Sequence, residues 1–133
     1  MKLKVSFLIT MLAIFFMAKI DVQAQADSTI GTDFNKLSET FLKRIIDNKD
    51  TQDLQDTLAK VSIEDLNIAL DTNDKRLAFW LNIYNTYIQV ILQNNPELYN
   101  DRGSFFKLEQ IKIAGEMVSF AKIEHGLIRK SQW

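Results

Sequence analysis

Between Leu77 and Pro96 the chain reads LAFWLNIYNTYIQVILQNNP, with no charged side chain anywhere in the stretch. On a helix turning about 100° per residue, Leu77, Trp80, Tyr84, Tyr87, Ile88 and Ile91 fall on one face. Ile83, Val90 and Phe79 extend that face on one side, Leu81 and Leu92 on the other. The apolar arc spans roughly 220°, against roughly 100° for an ordinary surface helix. What remains is a narrow stripe of Asn82, Asn85, Gln89 and Gln93, with Ala78 and Thr86. Solvated stripes usually carry Lys and Glu, so uncharged amides point to a face that meets protein or lines a pocket. The spacing predicts a central helix over about 73–95. Thr72 or Asn73 opens it, and Asn94-Asn95-Pro96 closes it, because Pro disfavours helix in the residue before it.

The amino-terminal segment 1–26 reads as a secretory signal peptide. Lys2 and Lys4 provide the positive start, Val5 to Ala18 the apolar run, and Ala24-Gln25-Ala26 the small residues at a cleavage site. At 1.5 Å per residue that run reaches about 21 Å, short of a hydrocarbon core of roughly 30 Å. A cleaved signal is therefore expected in place of a membrane span, and an exported product, periplasmic or extracellular. The chain holds no Cys, which excludes a lipoprotein anchor, disulfides and thiol chemistry. The mature part, 27–133, has the length of one small domain with a core. Its charge is balanced; the whole chain carries −1 at pH 7, with Lys and Arg scattered as singles and short pairs. Such a balance argues against nucleic acid and against an anionic membrane surface as partners.

Other elements follow from local signals. Thr32 is placed to cap a helix sharing Phe34, Leu37, Phe41 and Ile45 on one face, broken at Asn48-Lys49-Asp50. Leu54, Leu58 and Val61 mark a second, shorter helix. Ser62 caps a third, with Asp65 where a capping-box acid stands, and this one ends near Asp71. Pro96 to Asp101 is a connector. Ile111 and Ile113 alternate with Lys112, then Ala114-Gly115-Glu116 turns into Met117-Val118, a β-hairpin over about 110–118. Ser119 caps a last helix running to about Lys130. The expected class is α+β, mainly α: a helical domain around a central buried helix, with one small hairpin.

Two of these segments resemble a known family. Ala78-Phe79-Trp80-Leu81-Asn82-Ile83-Tyr84-Asn85 is similar to the AFWINLYNA signature of the domain of unknown function 547 (DUF547), found in bacteria and plants. Farther on, Ile113-Ala114-Gly115 and the run Ser119 to Arg129, SFAKIEHGLIR, resemble its "GG-x-x-x-SLDDIEHGILR" segment. The resemblance covers roughly Leu37 to Lys130. It implies a fold and, from the export signals of many Gram-negative relatives, a compartment; it implies no reaction. Members of the family continue past this helix into a second half with a DPRIHFALNC-type segment and a Cys. Here Trp133 comes soon after the helix, so the expectation is a domain truncated at its C-terminal end.

Few residues offer chemistry. On an α-helical last segment, Phe120, Ala121, Ile123, Leu127 and Ile128 span an arc of about 160°, and Glu124 falls inside it. A carboxylate on an apolar face must be paired, hydrogen-bonded or protonated. Burial could raise its pKa toward the range of a general acid or base, although a structural acid tying down a loop fits the same position. His125, the only histidine, lies at the edge of the polar face one turn before Arg129. It reads as a hydrogen-bonding edge residue or, with Glu124, as a catalytic pair. Asn82, Asn85 and Gln89 either line a cleft for a small polar ligand, with the Glu124 helix as its far wall, or form an amide-lined helix contact. Gly126 sits mid-helix, where Gly costs about 1 kcal/mol relative to Ala, and implies a backbone passing close by. One His and scattered acids give no metal-ligand pattern such as HExxH, and no Gly-rich phosphate loop occurs. No cofactor or metal is expected. The reading is an exported, soluble domain with a binding or scaffolding role, its partner a small polar ligand or a protein, and no catalysis as it stands. The alternative is the front half of a hydrolase-like enzyme, its nucleophile lying in the absent half.

Overall fold

The first helix begins where an acid can serve its free amide groups. The Asp33 carboxylate accepts the Lys36 backbone N–H at 3.0 Å, so Asp33, and not Thr32 one residue earlier, caps α1 (Phe34–Ile46). An ionised carboxylate also complements the positive end of the helix dipole, which a threonine hydroxyl does not. The computed structural model describes residues 31–129; the chain divides after Thr32, and the elements belong to the second unit. The signal-peptide segment 1–26 and the final residues Lys130 to Trp133 lie outside the described residues. At its far end α1 closes in a Schellman motif. Asn48, in the left-handed region at φ 54°, and Lys49 donate their N–H groups to the Ile45 and Arg44 carbonyls.

After α1 come α2 (Gln52–Lys60) and α3 (Ile63–Ala69), then the long α4 (Asn73–Asn94). Ser62 and Thr72 cap α3 and α4 through the backbone N–H groups of Asp65 and Lys75. A 3₁₀ turn, Pro96–Asn100, leads into α5 (Arg102–Lys107). The sequence reading has no counterpart to α5, because a helix of six residues shows no period; its single buried residue is Phe105. Asp101 caps it with both oxygens, taking the Ser104 hydroxyl at 2.7 Å and the Ser104 N–H at 3.1 Å. Those two bonds hold the Asp101 carboxyl below its usual pKa. The antiparallel hairpin of β1 (Ile111–Ile113) and β2 (Glu116–Val118) pairs Ile111 with Val118 and Ile113 with Glu116. It turns inward Ile111, Ile113 and Val118 while Lys112 and Met117 face out. The expected class, mainly α with one small hairpin, is the one found.

The hairpin turn has a second task. Ala114 and Gly115 both take positive φ, 52° and 76°, as a two-residue turn of the I′ type requires. Their successive N–H groups donate to the Leu58 carbonyl at 2.8 Å and the Ala59 carbonyl at 2.9 Å. Those carbonyls belong to the last turn of α2, where no intrahelical partner exists. The hairpin therefore closes α2 from outside.

α4 is the axis of the core, but its most buried face is not the one at the centre of its apolar arc. Phe79, Trp80, Ile83, Thr86 and Tyr87 are the buried positions, a centre rotated by roughly 90° from the expected Leu77–Trp80–Tyr84–Ile91 line. The cause is α1, which packs along α4. Phe34 meets Phe79 edge-on at 6.4 Å, and Phe41 meets Tyr87 at 5.2 Å. Thr86, which falls in the polar stripe on the wheel, is fully buried and donates its hydroxyl to the Asn82 carbonyl at 2.7 Å. On another side of α4, Tyr84, Tyr99, Phe105, Phe106 and Phe120 form an aromatic cluster with centroid separations of 5.2 to 6.4 Å.

Burial of Tyr87 carries a pH dependence. Desolvation, helped by the negative charge of Asp56, pushes the phenol far above its ordinary value. A raised native pKa means the unfolded chain gives up its proton first. The stabilisation is complete below about pH 10 and is lost as pH rises from there toward the native value. Urea unfolding between pH 8 and 12 should show stability falling above about pH 10, by up to about 1.4 kcal/mol per pH unit from this group. Tyr87→Phe should flatten that decline; an unchanged slope in the variant would refute the assignment.

Candidate functional site

The last element starts as an ordinary helix. Ser119 accepts the Lys122 N–H at 3.1 Å and opens α6 (Phe120–Lys122), with Phe120 and Ile123 fully buried against the core. From Ile123 to Ile128 the winding widens to a π turn. The Arg129 N–H bonds the carbonyl of Glu124, five residues back instead of four. Such turns are rare and are often found at functional sites.

The widened winding decides what Glu124 does. On an α-helix Glu124 and Arg129 would stand about 140° apart; across one π turn they are neighbours, and their side chains pair at 3.4 Å. The Glu124 side chain keeps 44% of its accessible surface, so the carboxylate expected inside the apolar arc lies half-buried at its edge. An exposed pair of this kind contributes between about 0 and 1 kcal/mol. Its charge is felt nearby: burial first, then Glu124, holds the Tyr84 phenol above its ordinary pKa. His125 is exposed.

Gly126 does not mark a close backbone approach. Beyond its chain neighbours and the backbone of its own helix, no heavy atom lies within 4 Å of the place a Cβ would occupy, because the residue borders an open groove. That groove, about 220 Å³, runs between the π turn and the start of α4. Gly126 and Leu127 form one wall, Arg76 and Trp80 another, and Leu66, Asn67 and Leu70 of the α3 region a third. Arg76 is held in place by neutral acceptors, the Leu70 carbonyl at 2.8 Å and the Asn73 side-chain oxygen at 2.6 Å. A larger open groove of about 540 Å³ lies beside the 3₁₀ turn and α5, bordered by Leu98, Asp101, Phe105 and Leu108. It shares no residue with the first.

The structure does not bring the amide stripe to this place. Asn82 donates to the Ser38 hydroxyl of α1 at 3.2 Å, on the side of α4 turned away from Trp80 and Tyr84. Asn85 bonds back to the Leu81 carbonyl at 2.9 Å, and Gln89 lies at 3.5 Å from the Asn85 carbonyl. None of the three borders either groove. Sequence reasoning missed Arg76 altogether, although one signal was there: it is the last charge before the uncharged stretch. Among the described residues, no group of three His, Asp or Glu side chains is arranged to hold a metal ion. No described helix is long and apolar enough to cross a membrane.

Residues 68–133 match the model of a family described as a protein of unknown function, DUF547. The chain carries a DUF547-like domain. The match starts at Ile68, within α3, so α1 and α2 precede it, whereas the motif resemblance reaches back to Leu37. Within the DUF547-like domain fall α4, the hairpin and the π turn, and with them Arg76, Trp80, Glu124, His125 and Gly126. Search of curated proteins and of solved structures finds no match to the chain.

Proposed function

We propose that this is an exported binding domain that engages a small ligand where the π turn passes the start of α4, and that the chain itself catalyses no reaction. The groove bounded by Arg76, Trp80 and Gly126 supports the reading: a concave, largely apolar surface with one fixed cation is the usual form of a small-ligand site. Glu124 and His125, which precede Gly126 in the chain, do not line the groove but keep access to solvent. The charged start, apolar run and Ala24-Gln25-Ala26 site support export.

Two measurements test it. Expressed in a Gram-negative host, the product should be recovered in the periplasm with the intact mass of a chain beginning at Asp27 or Gln25; full-length protein in the cytoplasm would refute export. A ¹H–¹⁵N spectrum titrated with a few hundred small polar and amphipathic fragments should give shifts clustered on Arg76, Trp80 and Glu124 to Leu127. Shifts scattered elsewhere, or none at all, would refute the site.

A further inference from the structure

We infer that the groove is a site for a small monocarboxylate with a compact apolar body. The inference rests on the proposal that the groove is the ligand-binding face. Arg76 gives it the sign of the charge. Its two hydrogen bonds go to a carbonyl and an amide oxygen; no described carboxylate lies within 4.0 Å of it, and an acid that feels its charge, Asp71, is paired with Lys75 at 2.8 Å. A guanidinium has five donors, so most of its hydrogen-bonding capacity is left for an incoming acceptor. The two intramolecular bonds hold the planar fork in one orientation, which suits the two parallel oxygens of a carboxylate.

The walls set the remainder of the ligand. Leu66, Leu70, Trp80 and Leu127 are apolar, and one cation balances one negative charge. A phosphate monoester would bring a second charge and more acceptors against leucines. The volume, about 220 Å³, corresponds to roughly seven waters, which fits a branched aliphatic acid of about six to eight heavy atoms. At Gly126 the absent side chain keeps the mouth open, since a larger residue would extend a side chain into this space.

The experiment compares 4-methylpentanoate with 4-methylpentanol, of nearly equal shape, on the full chain at low salt. Binding is read from the Trp80 indole N–H resonance, assigned by its loss in Trp80→Phe. The acid should bind at least tenfold more tightly than the alcohol. Arg76→Gln should remove that difference, and Gly126→Leu should weaken both compounds while leaving Arg76 in place. Equal affinity of the acid and the alcohol in the unaltered chain would overturn the charge preference while leaving a ligand groove standing. If neither compound moves the resonance at 10 mM, a concentration chosen for weak fragments, the inference and the groove are overturned together. The comparison in the unaltered chain decides the question even if Arg76→Gln fails to fold.

Discussion

Phe79→Ala should destabilise the domain by about 3–5 kcal/mol, the range for losing a fully buried aromatic ring. Phe79 is fully buried and stands between two elements: its ring meets Phe34 of α1 edge-on at 6.4 Å and Trp80 at 4.9 Å. Removing the ring withdraws the contact that fixes which face of α4 lies against α1. The surrounding side chains belong to packed helices and relax only partially into the space, so a cavity remains and adds to the lost transfer energy. Domains of this size are stable by only about 5–15 kcal/mol. The melting temperature should fall by at least about 12 °C. Leu81→Ala provides the comparison, since Leu81 is on the same helix but 41% exposed, and should change stability by less than about 1 kcal/mol. Equal effects of the two substitutions would mean that α4 does not turn Phe79 inward and Leu81 outward.

Gly115→Val comes next, with an expected loss of about 2–4 kcal/mol. Gly115 has φ 76°, where a β-branched residue is strained and even an ordinary residue costs about 1–2 kcal/mol. The strain does not stay local. Gly115 and Ala114 close the end of α2 by donating to Ala59 and Leu58, and each such bond contributes about 1 kcal/mol. Twisting the turn weakens both bonds and loosens α2 together with the hairpin. Ala114→Gly should act in the opposite sense, because Ala114 already carries φ 52° with a Cβ. Relief of that strain exceeds the added freedom of the unfolded chain, for a net gain of up to about 1 kcal/mol. Urea denaturation with an unchanged slope measures both. A Gly115→Val variant as stable as the parent would show that the turn does not adopt the I′ form.

Three of the helix caps and the hairpin were legible in the sequence because each depends on residues a few positions apart; the cap of α1 was displaced by one residue, from Thr32 to Asp33. Ser62, Thr72 and Ser119 reach the amide three residues on. Pro96 stops α4, and Ala114-Gly115 supports a turn only where the two flanking strands alternate. The length of α4, too, follows from its cap, its uncharged run and its Pro.

Which way α4 faces was not legible. An apolar arc of roughly 220° offers more surface than one neighbour can cover, and the choice was made by α1, through partners some forty positions away. Asn82 meets Ser38 across 44 residues, and Asn35 meets the Lys75 carbonyl across 40. That contact took the amide stripe away from the Glu124 side. The site was hidden for a related reason. A helical wheel assumes 100° per residue, and the π turn breaks the assumption at Glu124, moving the carboxylate from the middle of an apolar face to its edge beside Arg129. Arg76, Trp80 and Gly126 are separated by up to fifty positions in the chain and share a groove only because α3, α4 and the π turn converge. Local chemistry determined the elements and their ends; packing over long separations decided which faces are buried and which side chains line the groove.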